Sequence, residues 1–295
     1  MLPSNFCHNN RFFISLLPLS FRVVFALESE CFRQACHTAL KCEVDHQKDR
    51  IMNKYDGLLS DERVWIALDV STVDEAKRLI DILIPLGIRN FKIGLELIIA
   101  GFAHEVMKYI KSVGAEFFLD GKFNDIPHTV GKAAKNAAAL GAKMFNLHAN
   151  CGARAIKAAV DNKGESLVLA VTLLTSLEGS DLVDLGFPMT TSTQFVVKTW
   201  ASLAAINGAD GIICSPQEIS VVREVMPEGF ILTPGVRPSW SQSDDQKRTM
   251  TPGGAIRAGA TALVIGRPIT NPPTAIGGID VAVRLIEEEI TLALV

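Results

Sequence analysis

The sequence predicts an α/β fold, a closed (β/α)8 barrel of the TIM type. Two observations point to it. Eight short apolar runs recur between Val64 and Gly266, mostly separated by segments with helical periodicity. Polar and charged residues gather at the C-terminal ends of these runs, where the loops of such a barrel carry its chemistry. The span of roughly 235 residues is close to the ~250 usual for this architecture. A doubly wound open sheet is the competing arrangement. No Gly-x-Gly-x-x-Gly follows the first run, which counts against a dinucleotide-binding sheet.

The elements follow in order. Val64-Trp65-Ile66-Ala67-Leu68-Asp69 is an apolar strand ending in a carboxylate, and Ser71-Thr72-Val73-Asp74 then opens a helix that is periodic from Glu75 to Leu86 and stops at Gly87. Phe91-Lys92-Ile93-Gly94 is the second strand, followed by a helix near Ala103 to Ser112. The third strand, Phe117 to Asp120, leads into Lys122, and residues i and i+2 of a strand share a face, so a carboxylate and an ammonium are expected side by side. Asp125 follows in the turn, Pro127 suits a first helical turn, and an alanine-rich helix reaches Leu140, with Gly141 as its stop. A strand-end salt bridge accounts for the same three charges. Lys143 to His148 is the fourth strand, with a helix from Arg154 to Val160; His148 fits a satisfied buried histidine better than a catalyst. Leu167 to Leu174 is the fifth, ending in Thr175-Ser176; Gly211 to Cys214 is the sixth. Phe230 to Thr233, the seventh, precedes Pro234-Gly235-Val236-Arg237-Pro238, and Ala262 to Gly266, the eighth, precedes Arg267-Pro268. A final helix runs from about Ile279 to Glu288.

In many barrels the loops after strands seven and eight bind phosphate through backbone N–H groups. Gly235 with Arg237 and Gly266 with Arg267 supply close backbone approach and forked donors there, although turn glycines and surface arginines fit equally. The polar stretch from Ser239 to Thr249, with Gln246, reads either as a loop folding over a ligand or as a solvated loop.

Composition narrows the class. A net charge of −3 and no Lys/Arg-rich run leave no footprint for nucleic acid. Cys7, Cys31, Cys36, Cys42, Cys151 and Cys214 form no Cys-x-x-Cys pair, so a reduced, cytoplasmic chain without zinc is expected. The apolar segment Phe12 to Leu27 is broken by Pro18 and Arg22; it is too short to span a membrane and a poor match to a signal peptide. Met52 opens a fluent sequence just before the first strand. The expected division is therefore a poorly ordered extension over 1–60, with 1–51 an upstream segment from a mis-assigned start, and a barrel domain over 61–295.

With these residues in place, the chain from about Val64 to Glu288 resembles the orotidine 5′-phosphate decarboxylase family. The matching strings are Ala67-Leu68-Asp69, Lys92-Ile93-Gly94, the Asp120–Thr129 stretch with its Asp-x-Lys-x-x-Asp signature, Leu174-Thr175-Ser176, Thr233 to Pro238, Asp245-Gln246, Met250-Thr251-Pro252 and Ile265-Gly266-Arg267-Pro268. Their order and barrel spacing make the conjunction specific. The resemblance implies decarboxylation of orotidine 5′-phosphate to UMP in de novo pyrimidine synthesis, with no metal or organic cofactor. It implies that Asp69 and Lys92 hold the ribose and order the charges, that Asp120 presses on the substrate carboxylate, and that Lys122 donates the proton. Asp125 and Thr129 would reach the partner subunit's site in a homodimer with shared active sites. Thr175 and Ser176 would contact the pyrimidine, and Arg237, Gly266 and Arg267 would clamp the phosphate under Gln246. Gly121 departs from the larger apolar residue of many relatives. Two other readings compete: a magnesium-dependent sugar-phosphate decarboxylase or hexulose-phosphate synthase of the same barrel group, in which a metal-binding glutamate stands where this chain has Lys92, and a non-enzymatic phosphate-ligand binding protein.

Overall fold

The computed structural model describes residues 55–241 and 249–295. Eight parallel strands close on themselves in sequence order: β1 Val64–Ala67, β2 Asn90–Ile93, β3 Glu116–Phe123, β4 Met144–His148, β5 Leu167–Val171, β6 Gly211–Ile213, β7 Phe230–Thr233 and β8 Ala262–Ile265. Closure is made by β1 against β8, with Val64 opposite Leu263 and Ile66 opposite Ile265. The expected barrel is therefore the observed one.

Strand alternation builds two cores. Trp65, Phe118, Met144, Leu169, Val171, Ile213 and Phe230 point inward and fill the barrel. Their sequence neighbours, among them Ile66, Phe117, Phe145 and Ile212, point outward and pack under the helices. Most strands are thus apolar on both faces until the C-terminal end, β2 with its buried Asn90 and β3 with Glu116 at their entries being exceptions, and at that end inward positions turn polar: Lys92 and Asp120 are buried, and Asn146 is fully so.

The opposite end is sealed by two guanidiniums. Arg63, just before β1, donates to the carbonyls of Tyr55, Asp56, Leu58 and Thr261. Arg223 donates to the carbonyls of Pro227, Gly229 and Gly259 and to Thr261 Oγ1. Backbone carbonyls gathered around the strand entries gain donors in this way. Tyr55 also sets its ring edge-on to Phe230 at 5.0 Å, so residues 55–60, which the sequence reading assigned to the preceding segment, pack on the barrel.

Several helices match expectation. Ala103–Ser112 is as read, and Val73–Leu83 starts at Thr72, whose hydroxyl accepts from the Glu75 N–H. The last helix runs on to Leu294 rather than ending near Glu288. Thr193–Ile206 was not read from the sequence at all: its apolar residues spread around the helix and blur the period. The fifth strand stops at Val171, three residues short of the apolar run; the Thr172 N–H makes the last ladder bond, to the Ile213 carbonyl, and the chain leaves the sheet beyond it. Among the described residues no helix is long and apolar enough to cross a membrane. Cys151 and Cys214, the two cysteines among them, are not joined in a disulfide.

Gly211 lies on β6 opposite Phe230, where a Cβ would stand 2.0 Å from the Phe230 carbonyl oxygen. Backbone cannot yield as a flexible side chain can, so Gly211→Ala should cost about 3 kcal/mol. For a domain of this size that is a drop of roughly 5–10 °C in the thermal unfolding midpoint. An unchanged midpoint in the variant contradicts the packing described.

Candidate active site

Four charged side chains form an alternating row at the C-terminal mouth of the barrel. Lys92 Nζ donates to Asp69 Oδ1 at 2.6 Å and stands 3.5 Å from Asp120 Oδ2. Lys122 Nζ donates to Asp120 Oδ1 at 2.6 Å. Asp120 is the pivot, with a cation on each oxygen, and its side chain is only 11% exposed. Burial alone would raise its pKa, but the Lys92 and Lys122 ammoniums and the hydrogen bonds from Lys122 and Asn146 outweigh burial and hold the carboxyl below its ordinary value. Asp69, at the outer end of the row, is 57% exposed.

The backbone that delivers Lys122 is not a regular strand. β3 and β4 pair at Leu119–Phe145 and next at Phe123–Leu147, so four steps on β3 match two on β4. Lys122 sits within this bulge at φ 47°, the one non-glycine residue with positive φ among those described. Such a conformation costs on the order of 1 kcal/mol or more and persists only where the surroundings hold it. The expected neighbours, Asp120 and Lys122, do meet, but through a bulge rather than through strand alternation. Asn146, which sequence reading passed over, completes the arrangement: its Nδ2 donates to Asp120 Oδ1 at 2.7 Å and its Oδ1 accepts the Lys122 N–H at 2.7 Å. The signal for it was present, since Asn146 shares the inward parity of Met144 near the end of a strand. Gly94 leaves room for the row: a Cβ there would lie 2.9 Å from Lys92 Nζ and 3.2 Å from Asp69 Oδ1.

These groups line a cavity of about 480 Å³. Thr175, Gly235, Arg237, Gly266 and Arg267 line the same cavity, over a floor that includes Phe118, Val171 and Ile213. The loops after β7 and β8 therefore face the charged row across one space. Ser176 is exposed and does not line the cavity, in contrast to its neighbour Thr175. Asp125 and Thr129 are likewise exposed and outside it; Asp125 Oδ1 accepts the N–H of Ile126 at 2.6 Å, just before the helix Pro127–Ala139. Asp245 and Gln246 lie outside the described residues. His148, at the end of β4, is half-buried and stays outside the cavity lining. Burial and the Lys122 ammonium lower its pKa against the opposing Asp120 charge, which favours the neutral imidazole. Glu96 also stays outside the cavity and accepts from the Ser71 hydroxyl at 2.7 Å. Among the described residues no group of three His, Cys, Asp or Glu side chains is placed to hold a metal ion.

Comparison with known proteins bears on the family and the fold. Residues 62–275 match the Orotidine 5′-phosphate decarboxylase / HUMPS family. The orotidine 5′-phosphate decarboxylase of Heliobacterium modesticaldum is 44% identical over 241 residues, covering 77% of this chain and 95% of that protein. That of Gloeothece citriformis is 41% identical over 215 residues, covering 71% of this chain and 90% of its own length. The crystal structure of orotidine 5′-phosphate decarboxylase from Lactobacillus acidophilus superposes with a TM-score of 0.64 at 32% identity, covering 77% of this chain and 98% of that one.

The lowered Asp120 pKa has a consequence for acid stability. A carboxyl whose folded pKa is depressed contributes stability that is present above its unfolded value and lost as the pH falls through the folded value. Lys92→Met removes one of the two cations responsible, so the folded pKa rises and the protection fades earlier. The variant should unfold at a higher pH than wild type in an acid titration followed by far-UV circular dichroism. Coincident acid midpoints would show that Lys92 does not stabilise the Asp120 carboxylate.

Proposed function

The chain belongs to the orotidine 5′-phosphate decarboxylase / HUMPS family, and from that premise we propose that it converts orotidine 5′-phosphate to UMP and CO2 in pyrimidine biosynthesis. The observation that carries the reading is the Asp69–Lys92–Asp120–Lys122 row set across one cavity from the loops of Gly235, Arg237, Gly266 and Arg267. A cavity of about 480 Å³ falls inside the range of roughly 300–1,000 Å³ typical of small-molecule sites.

The chemistry follows from the charges. The bond from C6 to the carboxylate breaks, CO2 leaves, and the electron pair stays on C6, where no carbonyl is placed to delocalise it as an enolate. A preorganised ammonium stabilises such charge as it develops. Lys122 Nζ then gives its proton to C6 and recovers one from solvent. Asp120 crowds the departing carboxylate, a ground-state effect that adds to the electrostatic one. Arg237 and Arg267, with the backbone at Gly235 and Gly266, grip the phosphate far from the reacting carbon, and that binding energy holds the ring against Asp120. Asp69 and Lys92 take the ribose and Thr175 the pyrimidine, while Ser176, exposed outside the cavity, is left without that role; Gln246 is assigned to the phosphate on the family resemblance alone. No metal or organic cofactor enters. The ammonium of Lys92 lies between Asp69 and Asp120, where a magnesium ion would need its oxygen ligands, and this disfavours the metal-dependent alternative. A protein that only bound phosphates would have no use for a buried carboxylate facing an anionic ligand.

The exposed Asp125 and Thr129 fit a role outside their own cavity. In a two-fold homodimer each would reach the partner's substrate, and the exchange would be reciprocal. We place this dimer in the cytoplasm, in line with Cys151 and Cys214 not being joined in a disulfide.

A spectrophotometric assay tests the reading: purified protein should consume orotidine 5′-phosphate at the same rate with and without EDTA. Lys122→Ala should lower kcat by at least ~10²-fold while UMP still binds, because the lysine acts on charge absent from the product. A near-normal kcat removes Lys122 from the chemistry.

Mixing tests the shared site. Lys122→Ala and Asp125→Ala homodimers should each be nearly inactive, whereas their heterodimers carry one site with both defects and one with neither. Subunit exchange should then restore up to about half of the wild-type sites per heterodimer. Verified heterodimers as inactive as their parents would place Asp125 within its own chain's site.

A further inference from the structure

We infer that Asn146 is a positioning residue, its buried carboxamide fixing the backbone and the counterion of Lys122 together. The inference rests on the proposed decarboxylation, since it concerns where the proton donor of that reaction stands.

The geometry is a closed ring. Asn146 Oδ1 accepts the Lys122 N–H at 2.7 Å, Lys122 Nζ donates to Asp120 Oδ1 at 2.6 Å, and Asn146 Nδ2 donates to that same Oδ1 at 2.7 Å. Asn146 is fully buried. One orientation of its amide satisfies both ends, because an N–H needs an acceptor and a carboxylate needs a donor. A leucine of similar volume would fill the space and satisfy neither.

The ring explains how a bulged lysine keeps one position. Pairing between β3 and β4 passes from Leu119–Phe145 to Phe123–Leu147, so the Lys122 amide falls between ladder positions. Its φ of 47° turns that N–H toward Asn146. The lysine is thereby tied at its amide by Asn146 and at its ammonium by Asp120. Asn146 also supplies a neutral donor to Asp120, which adds no charge to the row and does not titrate.

Three measurements on the intact protein test this. In Asn146→Ala, kcat on orotidine 5′-phosphate should fall roughly 10²-fold, the scale of a reacting group displaced by about 1 Å. Affinity for UMP should stay within about 3-fold of wild type, because a displaced proton donor costs the transition state and not the product complex. Hydrogen exchange at the Lys122 amide should quicken at least ~10-fold, since its acceptor is gone, while amides of β6 and β7 keep wild-type rates. This last readout needs no turnover. Wild-type kcat in folded Asn146→Ala, or an unchanged Lys122 exchange rate, overturns the inference.

Asn146→Asp serves where the alanine variant does not fold. It keeps the acceptor for Lys122 and sets a second carboxyl against Asp120, and two carboxyls at hydrogen-bond distance cannot both ionise freely. The titratable groups around that position are Asp120 and Lys122 on β3, Lys92 on β2 and His148 on β4; β5, which meets Asn146 at Leu169, carries none. At acid pH the pair shares a proton that stands in for the lost N–H. As the pH rises and that proton leaves, activity relative to wild type should fall. A variant whose pH profile matches wild type overturns the inference. Wild-type protein inactive on orotidine 5′-phosphate would remove the decarboxylase reading instead, and the exchange rate of Lys122 would still decide whether Asn146 ties its backbone.

Discussion

The buried carboxylate of Asp120 is the constraint on which the rest of the site depends. Removing an ion from water costs several kcal/mol after relaxation, far more than an exposed ion pair returns. Asp120 is tolerable only because each oxygen has a cation and one also takes an amide donor. That requirement fixes Lys92 on the neighbouring strand, Lys122 two residues along, and Asn146 on the strand beyond. It also demands the small residue at position 94, since any side chain there would push into the Lys92–Asp69 contact. The four charges sum to zero, and their alternation lets each neighbour offset the next.

The strain at Lys122 is held by what lies beneath it. The barrel interior is filled by Trp65, Phe118, Met144 and their neighbours, and the far end is tied by Arg63 and Arg223. Close-packed interiors yield little, so a bulge at the mouth can be held in a conformation that it would not keep in isolation. Stability and chemistry are thus separated along the barrel axis, guanidiniums and carbonyls at the strand entries and carboxylates and ammoniums at the exits. The cavity between the charged row and the arginine loops is the space this separation leaves.

Much of this was legible in the sequence, for local reasons. Strand and helix periods are properties of adjacent residues, so eight apolar runs and the helix Ala103–Ser112 could be read directly. The Asp-x-Lys-x-x-Asp spacing announced its charges because they lie within six residues. The helix Thr193–Ile206 escaped because apolar residues such as Phe195 and Ile206 lie on its exposed side as well, which erases the period.

What the sequence determined by itself is therefore the barrel and the identity of the charged residues. The tertiary structure decided which of them meet. Asp69, Lys92, Asp120 and Asn146 stand on or beside four strands and become neighbours only when the strands lie side by side with their ends in register. The same closure turned Thr175 inward and left Ser176 outside, a distinction that one step along the chain cannot encode. It also replaced a plain strand end with a bulge at Lys122, because the Lys122 amide found its acceptor in a side chain twenty-four residues away rather than in the ladder. Spacing in sequence can place two groups on one face; only the packed barrel sets the distance at which they act.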